Sequence, residues 1–455
     1  MADETTLPLY LRGRFAPVSE EHRAGALTVR GCLPPDLDGR YLRNGPNPLP
    51  GEDKGHWFTG SGMLHGIRLR AGRAEWYRNR WVRTRELDGH PLLRADGTVD
   101  LAATPANTHV IRHAGTVLAL CEAGLPHWVT PSLETVGPYD FEGRLTTAMT
   151  AHPKVDPDSG ELHLFGAGVT PPYVTYHRVT AEGLLLDSRP VDVPGPTLMH
   201  DFALTEHHIV WMDLPVVLDP ALAARGGPPY RWEEAYGARL GVMSRAPGST
   251  DVRWYTIDPC YVFHVGNAYE DAEGRIVLDT VRYDRAGFQR TWTDIGGFGA
   301  GREPGPAVRS RAASVLHRWT LDPATGGVTE TRLGDRAAEF PTHNENLTGR
   351  PNRYLYTVSD EGITKHDLAL RADRIHETPG SRYPGEAVFV PAADGTGEDE
   401  GWLLSLVSYE DAGAGELLVL DATDLTVQAV VELPYPVPAG FHGSWLPEPA
   451  DVEQT

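Results

Sequence analysis

Short apolar runs rich in β-branched residues recur along the whole chain, and no other feature restricts its fold as strongly. Each run is about 5–9 residues long and lies between Gly, Pro, Asp or Asn residues, as in TVLALCEAG, HHIVWMDLP, RYLYTVS and ELLVLDA. Runs of this kind are typical of antiparallel strands. Several are joined by sequences such as VDPDSG and LDPATGG, which suit hairpin connections. The pattern therefore predicts a large all-β fold.

The predicted strands are spread evenly over the 455 residues, without a linker or a low-complexity break. An even series of this length is more typical of a radial β-propeller than of several sandwiches. We therefore expect a single domain over residues 1–455. The repeats are too degenerate for the blades to be counted. Helical patterns are scarce, and the best candidate for a helix is Leu214–Ala224.

Composition excludes several classes of protein. The formal net charge of −21 leaves no basic surface for nucleic acid and no electrostatic attraction to anionic lipid. The three cysteines, Cys32, Cys121 and Cys260, are scattered, so we expect neither a disulfide framework nor a Cys-x-x-Cys metal site. No apolar stretch approaches the ~18 residues of a membrane span. We expect a cytoplasmic protein.

Four of the 19 histidines stand where a turn meets an apolar strand. They are His152 in AHPKVD, His200 in MHDFAL, His264 in FHVGNAYED and His442 in GFHGSW. Their separations fit no local zinc motif, so the fold would have to bring one ligand from each of several blades. Imidazole binds Zn, Cu, Fe and Ni, which leaves the metal open. For any single histidine, a surface or hydrogen-bonded role is the alternative.

Motifs along nearly the whole chain resemble those of the carotenoid cleavage oxygenases. This family includes bacterial apocarotenoid oxygenases, plant carotenoid dioxygenases, stilbene-cleaving oxygenases and the retinal pigment epithelium isomerase. The resemblance lies in YLRNGPNP, HWFTGSGMLHGIRL, WYRNRWVRT, EFPTHNENLTGRPNRYLYT and GEAVFVP, and in the four histidine motifs in the family's order. It implies a seven-bladed β-propeller, with short helical loops capping the face that contains iron.

The resemblance also implies a site. Fe(2+) would be bound on the propeller axis by the four histidines. Glu122, Glu339 and Glu386 would each accept the proton of a ring nitrogen that does not bind the metal, which fixes the tautomer and orientation of the ligand. Histidines His207 and His208 lie beside the apolar run IVWMDLP and are interpreted as strand-edge residues instead.

The implied reaction is cleavage of a conjugated C=C bond of a carotenoid or apocarotenoid by O2, which gives two carbonyl products. The partners would be a small apolar conjugated substrate and O2, without flavin or nicotinamide. We expect an apolar substrate tunnel, with Phe58, Cys121, Trp128 and Phe263 as candidate lining residues and Trp57 as a further one.

The identity of residue 121 helps to distinguish between the possible substrates. Stilbene-cleaving members of the family carry a lysine immediately before the first of the three glutamates, and here that position is Cys121. A thiol cannot offer an ammonium group to a phenol. The sequence therefore favours an apolar polyene, and a stilbene or propenylphenol is the alternative substrate.

Other interpretations stay open at this stage. The apolar segment Leu214–Trp232 suggests a tunnel entrance in contact with a membrane or lipid, and the alternative is an ordinary helix docked on a blade. The fold could instead be a non-catalytic scaffold that binds a partner, or an iron-dependent isomerase. A zinc hydrolase fits less well, because four protein ligands would close a tetrahedral zinc site. The sequence does not give the scissile bond or the oligomeric state.

Overall fold

The computed structural model describes residues 7–223, 228–296 and 312–448. Within these residues the chain forms a β-propeller of seven antiparallel sheets with four to six strands each, together with one two-stranded sheet. The predicted all-β, seven-bladed fold is therefore confirmed.

The strands are numbered in chain order. Those that begin before residue 200 are β1 (Arg23–Gly25), β2 (Val29–Gly31), β3 (Gly39–Pro46), β4 (Gly62–Arg70), β5 (Arg73–Trp81), β6 (His109–His113), β7 (Thr116–Leu120), β8 (His127–Val129), β9 (Thr135–Pro138), β10 (Lys154–Val155), β11 (Leu162–Ala167), β12 (Val174–Val179) and β13 (Leu185–Val191).

The strands that begin between residues 200 and 335 are β14 (Ala203–Leu204), β15 (His208–Asp213), β16 (Val216–Leu218), β17 (Tyr230–Trp232), β18 (Arg239–Ser244), β19 (Val252–Thr256), β20 (Tyr261–Glu270), β21 (Ile276–Tyr283), β22 (Ser314–Leu321) and β23 (Val328–Arg332). The remaining strands are β24 (Glu339–Thr342), β25 (Tyr354–Ser359), β26 (Gly362–Asp367), β27 (Ala372–Glu377), β28 (Arg382–Pro384), β29 (Val388–Pro391), β30 (Gly401–Tyr409), β31 (Gly415–Asp421), β32 (Val427–Leu433) and β33 (Gly443–Pro447).

Both ends of the described chain enter shared sheets. Four blades use consecutive strands, β6–β9, β10–β13, β20–β23 and β24–β27, and a fifth has the order β14-β15-β18-β19. The sixth and seventh have the orders β1-β5-β4-β3-β33 and β2-β32-β31-β30-β28, with β29 also pairing with β30. In these two blades early strands pair with late ones, which closes the ring. The single domain over residues 1–455 stays a prediction.

The core lies between neighbouring blades. Leu42 and Leu64 of one blade, for example, pack in one buried cluster with Val110 and Val117 of the next. Burial of each such side chain stabilises the fold by roughly 1.5–3 kcal/mol relative to exposure. Sheet faces packed in this way hold the blades around the axis, where the innermost strands end.

Helices are few and short in the part of the chain that the structure describes. They are α1 (Pro220–Ala223) and α2 (Arg285–Asp294), with 3-10 turns at Leu9–Leu11, Gly13–Phe15, Trp57–Thr59, Glu234–Tyr236 and Glu345–Leu347. Helix α2 was not predicted, although its sequence contains two features typical of helices. Asp284 caps it by accepting a hydrogen bond from the N–H of Gly287 at 2.7 Å, and Phe288 and Trp292 stack at the i, i+4 spacing.

The predicted helix Leu214–Ala224 is wrong for most of its length. Val216–Leu218 is strand β16, which pairs with β17, and only Pro220–Ala223 is helical; Ala224 lies outside the described residues. The β-branched pair Val216 and Val217 favours a strand, and a short apolar run alone does not distinguish the two structures.

The first residues of the same segment, which the structure describes, are buried. Leu214 and Val216 are 2% and 0% exposed and belong to the largest core cluster. Their apolar character is therefore explained by packing within this cluster, so these two side chains are not available for contact with a membrane. No helix among the described residues is long and apolar enough to span a membrane.

Candidate metal centre

The four histidines singled out from the sequence lie at equivalent places in the propeller. His152 directly precedes the short segment that enters β10, His200 lies shortly before β14, His264 lies within β20, and His442 directly precedes β33. Each of these strands is the edge strand of a different sheet. Four blades therefore each direct one imidazole to a common point, which no local sequence spacing could reveal.

The imidazole rings form a compact buried group in which each residue is 4–8% exposed. The ring centroid of His152 lies 4.6 Å from that of His200, 5.2 Å from that of His264 and 4.5 Å from that of His442. The rings of His264 and His442 are 4.8 Å apart. Ligand atoms of His152, His200 and His264 all lie within 4.8 Å of one another.

The separation of the nitrogen atoms fits a bound metal ion. The Nε2 atoms of His152 and His200 are 3.1 Å apart. With metal–nitrogen bonds of about 2.1 Å, two nitrogen ligands at right angles lie about 3 Å from each other. The cluster can therefore hold a metal ion of the first transition row between its Nε2 atoms.

The three predicted glutamates contact the opposite nitrogen, Nδ1, of three of these rings. Glu122 Oε2 lies 2.6 Å from Nδ1 of His200, although the two groups are not aligned for a linear hydrogen bond. Glu339 Oε2 accepts from Nδ1 of His264 at 2.5 Å. A carboxylate at Nδ1 keeps the proton there and directs the Nε2 lone pair to the centre.

Glu386 completes the set, since its Oε1 accepts from Nδ1 of His442 at 2.8 Å. Its other oxygen, Oε2, accepts the backbone N–H of Gly443 at 2.8 Å. Glu339 has more partners, because its Oε1 accepts the hydroxyl of Tyr283 at 2.6 Å and its Oε2 also accepts the N–H of Phe340 at 2.7 Å. These contacts fix each carboxyl group before any metal binds.

Burial and charge set the protonation states of the cluster. Burial, reinforced by the neighbouring imidazoles, lowers the pKa of His152 and His442 well below the usual value. Burial is the largest influence on His200 and opposes its protonation, but Glu122, Asp201 and Glu339 together outweigh it and raise the pKa of His200. His152 and His442 are thus neutral at neutral pH, which is the form that binds a metal.

Aromatic side chains cover one side of the cluster. The ring of Phe58 lies 6.5 Å from that of His200 and 6.0 Å from that of Phe263. Helix α2 contributes Trp292, 5.7 Å from Phe58, and the 3-10 turn that carries Phe58 is tied to the end of this helix by the hydrogen bond from Trp57 N to the carbonyl of Ile295. These short helical segments cap the cluster, as the resemblance implied.

The other candidate tunnel residues divide into two groups. Cys121 is buried beside Glu122, and Trp57 packs 4.5 Å from Phe441, which itself lies 5.4 Å from Phe58. Trp128 is 44% exposed on β8 and makes no ring contact with any described residue. The structure therefore places Trp128 at the surface, outside the aromatic group.

His207 and His208 lie apart from the cluster. The side chain of His207 is 68% exposed, near Glu206 and Glu270. His208 Nδ1 contacts Glu270 Oε1 at 2.8 Å. Glu270 also accepts from the Thr205 hydroxyl at 2.5 Å, so Glu270 and His208 belong to a surface hydrogen-bond network.

Several residues around the cluster were missed by sequence reasoning. Tyr283 binds Glu339, and the ring of His109 lies 5.2 Å from that of His442. Asp201, which is buried, and Lys154, which is half-buried, form an ion pair of 2.8 Å. Only the last pair left a signal in the sequence, because each member lies within two residues of a candidate ligand.

Comparisons with known proteins agree with this geometry. The family model described as retinal pigment epithelial membrane protein matches residues 15–447. A carotenoid cleavage oxygenase of Mycobacterium tuberculosis is 39% identical, over 96% of this chain and 97% of that protein. The cobalt-substituted apocarotenoid oxygenase of Synechocystis has a TM-score of 0.82 at 27% identity, over 97% of this chain and 98% of that one. The lignostilbene dioxygenase of Pseudomonas brassicacearum has a TM-score of 0.85 at 26% identity, over 97% and 99% of the two chains.

Proposed function

Because the chain belongs to the family of the retinal pigment epithelial membrane protein and the carotenoid cleavage oxygenases, we propose that it is an Fe(2+)-dependent dioxygenase. It cleaves a conjugated C=C bond of a carotenoid or apocarotenoid with O2, and two carbonyl products result. The observation that carries this proposal is the buried group of four imidazoles, three of them held at Nδ1 by carboxylates.

The donor set supports iron as the metal. Four neutral imidazoles leave the +2 charge of the ion uncompensated by ligands and, in an octahedral arrangement, two coordination positions open. A zinc ion would be closed by four protein ligands and would have no place for a reacting water. Bound Fe(2+) supplies the activation of O2, and the protein supplies the ligands, their fixed tautomers and a dry pocket.

The residues around the cluster suit an apolar substrate. Phe58, Phe263 and Trp292 offer aromatic surface beside His200 and exclude water from it. Cys121 adds a small, buried thiol, whose pKa is raised by burial, so it is uncharged at neutral pH. A polyene chain makes no demand for a charged partner and fits these surroundings.

A stilbene or propenylphenol is the second candidate substrate, on the strength of two observations. The lignostilbene dioxygenase has a TM-score of 0.85 with this chain. Tyr230 also lies near Cys121 and Glu122: burial, followed by these two groups, raises the pKa of its hydroxyl. We find no hydrogen-bond partner for that hydroxyl among residues 7–223, 228–296 and 312–448, so it could bind a substrate phenol in place of the absent lysine.

Product analysis tests the proposal. Fe(2+)-loaded protein is incubated in air with a panel of apocarotenals, stilbenes and propenylphenols, and the products are identified by mass spectrometry. We expect an apocarotenal to give two carbonyl fragments, with kcat/KM above that for resveratrol or isoeugenol. His264→Ala should abolish the products, while His207→Ala, on the exposed surface, should not. If the iron-loaded protein cleaves no member of the panel, the proposal is contradicted.

Contact with lipid and a cytoplasmic location stay predictions. An apolar polyene has to be taken from a lipid phase, so a peripheral association would shorten its path to the site. The burial of Leu214 and Val216 removes those two side chains as the point of contact. Flotation of the protein with neutral liposomes tests the association, and recovery of all the protein from the bottom fraction would exclude it.

A further inference from the structure

A buried carboxylate beside one candidate ligand has no role in the arrangement described so far. Asp201 directly follows His200 and is 1% exposed. Its Oδ1 accepts the N–H of Phe202 at 2.8 Å and lies 2.8 Å from Nζ of Lys154. Its Oδ2 accepts the N–H of Val265 at 2.8 Å. Both oxygens are therefore occupied, by groups from different blades.

These partners stand next to other candidate ligands. Val265 directly follows His264, and Lys154 lies two residues after His152. Since Asp201 itself follows His200, one carboxylate joins the three segments that carry these histidines. The segments belong to three different sheets, so the carboxylate links the blades at the point where the imidazoles converge.

In the part of the chain that the structure describes, His152 is the candidate ligand whose ring has the fewest side-chain contacts to hold it in place, so such a link matters most for this residue. No carboxylate of the described residues contacts its ring, in contrast to the other three histidines. The strand that follows it, β10, has only two residues and pairs with β11 through Lys154 and Val155. A strand this short supplies few backbone hydrogen bonds, so the Lys154 side chain adds to the contacts that Thr150 N–H makes with the carbonyl of Phe165 and that His109 makes with the carbonyl of Ala151.

We propose that Asp201, acting with Lys154, is a positioning residue that sets the place of His152 relative to His200 and His264 at the metal. The inference rests on the proposed function only in requiring that these histidines bind a metal ion. Removing one member of a buried ion pair leaves an uncompensated charge. Loss of an outer support of a metal ligand typically weakens affinity or activity by about 10–100-fold.

Three variants separate the charge from the backbone contacts. In Asp201→Asn the amide NH2 must face either the N–H of Val265 or the N–H of Phe202 and Lys154, and each of these is a donor. Lys154→Met removes the ion pair and keeps both backbone contacts, while Lys154→Arg restores a cation. Asp279→Asn is the matched control, because Asp279 is 0% exposed and accepts two hydrogen bonds from Arg318, at 2.7 Å each, outside the cluster.

The measurements use the full chain after removal of metal, titrated without oxygen with Fe(2+) or Co(2+). Competition with a chelator gives the dissociation constants, and the visible absorption of Co(2+) reports the ligand geometry. Thermal unfolding of the metal-free protein measures the general loss of stability. We expect Asp201→Asn and Lys154→Met to weaken both metals about 10–100-fold and to change the Co(2+) spectrum. Lys154→Arg should recover most of the affinity.

The control decides between positioning and plain destabilisation. Asp279→Asn should lower the unfolding temperature of the metal-free protein and leave the Co(2+) spectrum and both affinities unchanged. If Asp201→Asn and Lys154→Met behave in the same way as this control, the positioning role is wrong while the proposed function stands. If the wild-type chain binds neither Fe(2+) nor Co(2+), the proposed function and this inference fail together.

Discussion

Glu339 and Glu386 each contact a candidate ligand, yet we expect their replacement by glutamine to have unequal effects. The difference lies in what faces the second carboxyl oxygen. In Glu339 that oxygen accepts the hydroxyl of Tyr283 at 2.6 Å, and in Glu386 it accepts the backbone N–H of Gly443 at 2.8 Å. A hydroxyl can act as donor or acceptor, whereas a backbone N–H can only donate.

Glu339→Gln can therefore keep a complete set of hydrogen bonds. Its amide oxygen would accept from His264 and from the N–H of Phe340, and its NH2 group would donate to the oxygen of Tyr283. The Tyr283 proton would then need another acceptor, and the hydroxyl of Ser314, which influences the pKa of Tyr283, is the candidate. Only the carboxylate charge is lost. We therefore expect metal affinity to fall by about 10-fold, the lower end of the range found when a residue that holds a metal ligand is replaced.

Glu386→Gln has no such solution. Its NH2 group must face the N–H of Gly443 or Nδ1–H of His442, both donors. The alternative is that His442 moves its proton to Nε2, which removes the lone pair that would bind the metal. A buried donor without a partner costs about 1–3 kcal/mol, and each 1.4 kcal/mol is about tenfold in affinity. We therefore expect metal affinity to fall by about 100-fold, near the upper end of this cost.

Chelator competition for Co(2+) under anaerobic conditions measures both variants. Glu270→Gln is a control, since Glu270 contacts His208 at 2.8 Å outside the cluster. In a Tyr283→Phe background the NH2 of Glu339→Gln loses its acceptor, so that substitution should then cost nearly as much as Glu386→Gln. Equal losses for the two single variants, or a larger loss for Glu339→Gln, would refute the hydrogen-bond argument.

Further predictions concern the ligands, pH and the substrate pocket. Replacement of any one of the four histidines by alanine should abolish or severely reduce the Fe(2+) content found by metal analysis; these are His152, His200, His264 and His442. Full iron content in one of these variants would exclude that residue as a ligand. Burial lowers the pKa of His177 to about 4, so the unfolded chain binds a proton between pH 6.5 and 4 that the folded chain does not, and stability falls as the pH falls through this window. His177→Gln should make the fall of unfolding temperature between pH 6.5 and 4 shallower, and an unchanged profile would contradict this. Tyr230→Phe should raise KM for resveratrol more than for an apocarotenal, and equal changes would show that the hydroxyl does not bind the phenol.

Local sequence patterns predicted the strands well and the helices poorly. The run HIVWMD became β15 and ELLVLD lies in β31, because turn residues delimit these runs and both of their faces are buried between blades. The same kind of run led to the wrong prediction of a helix at Leu214–Ala224, because a strand and a helix satisfy the same apolar pattern. The surface position of Trp128 was not predicted, because an aromatic residue on a strand gives no sign of which face of the sheet it occupies relative to the axis.

The site could be predicted only through the resemblance. His200 and His442 come from blades far apart in the chain, and the ring closes through the pairing of β3 with β33, a contact that no short-range pattern encodes. The sequence neighbourhood of each histidine marked it as a strand-edge residue and no more. The motif MHDFAL contains Asp201 but gives no role for it, because that role depends on where the N–H of Val265 and the ammonium of Lys154 lie in space.

The surroundings of the cluster disfavour an anionic substrate in two ways. On one side three carboxyl groups contact the imidazoles, and Asp201 is balanced by Lys154. If the three carboxyl groups are ionised, they more than offset the +2 charge of a bound ion, so the surroundings repel a further anion at short range. On the other side, Phe58, Phe263 and Trp292 offer no cation to a phenolate. A neutral polyene avoids both penalties, and a phenol would have to bind protonated, with the Tyr230 hydroxyl as its partner.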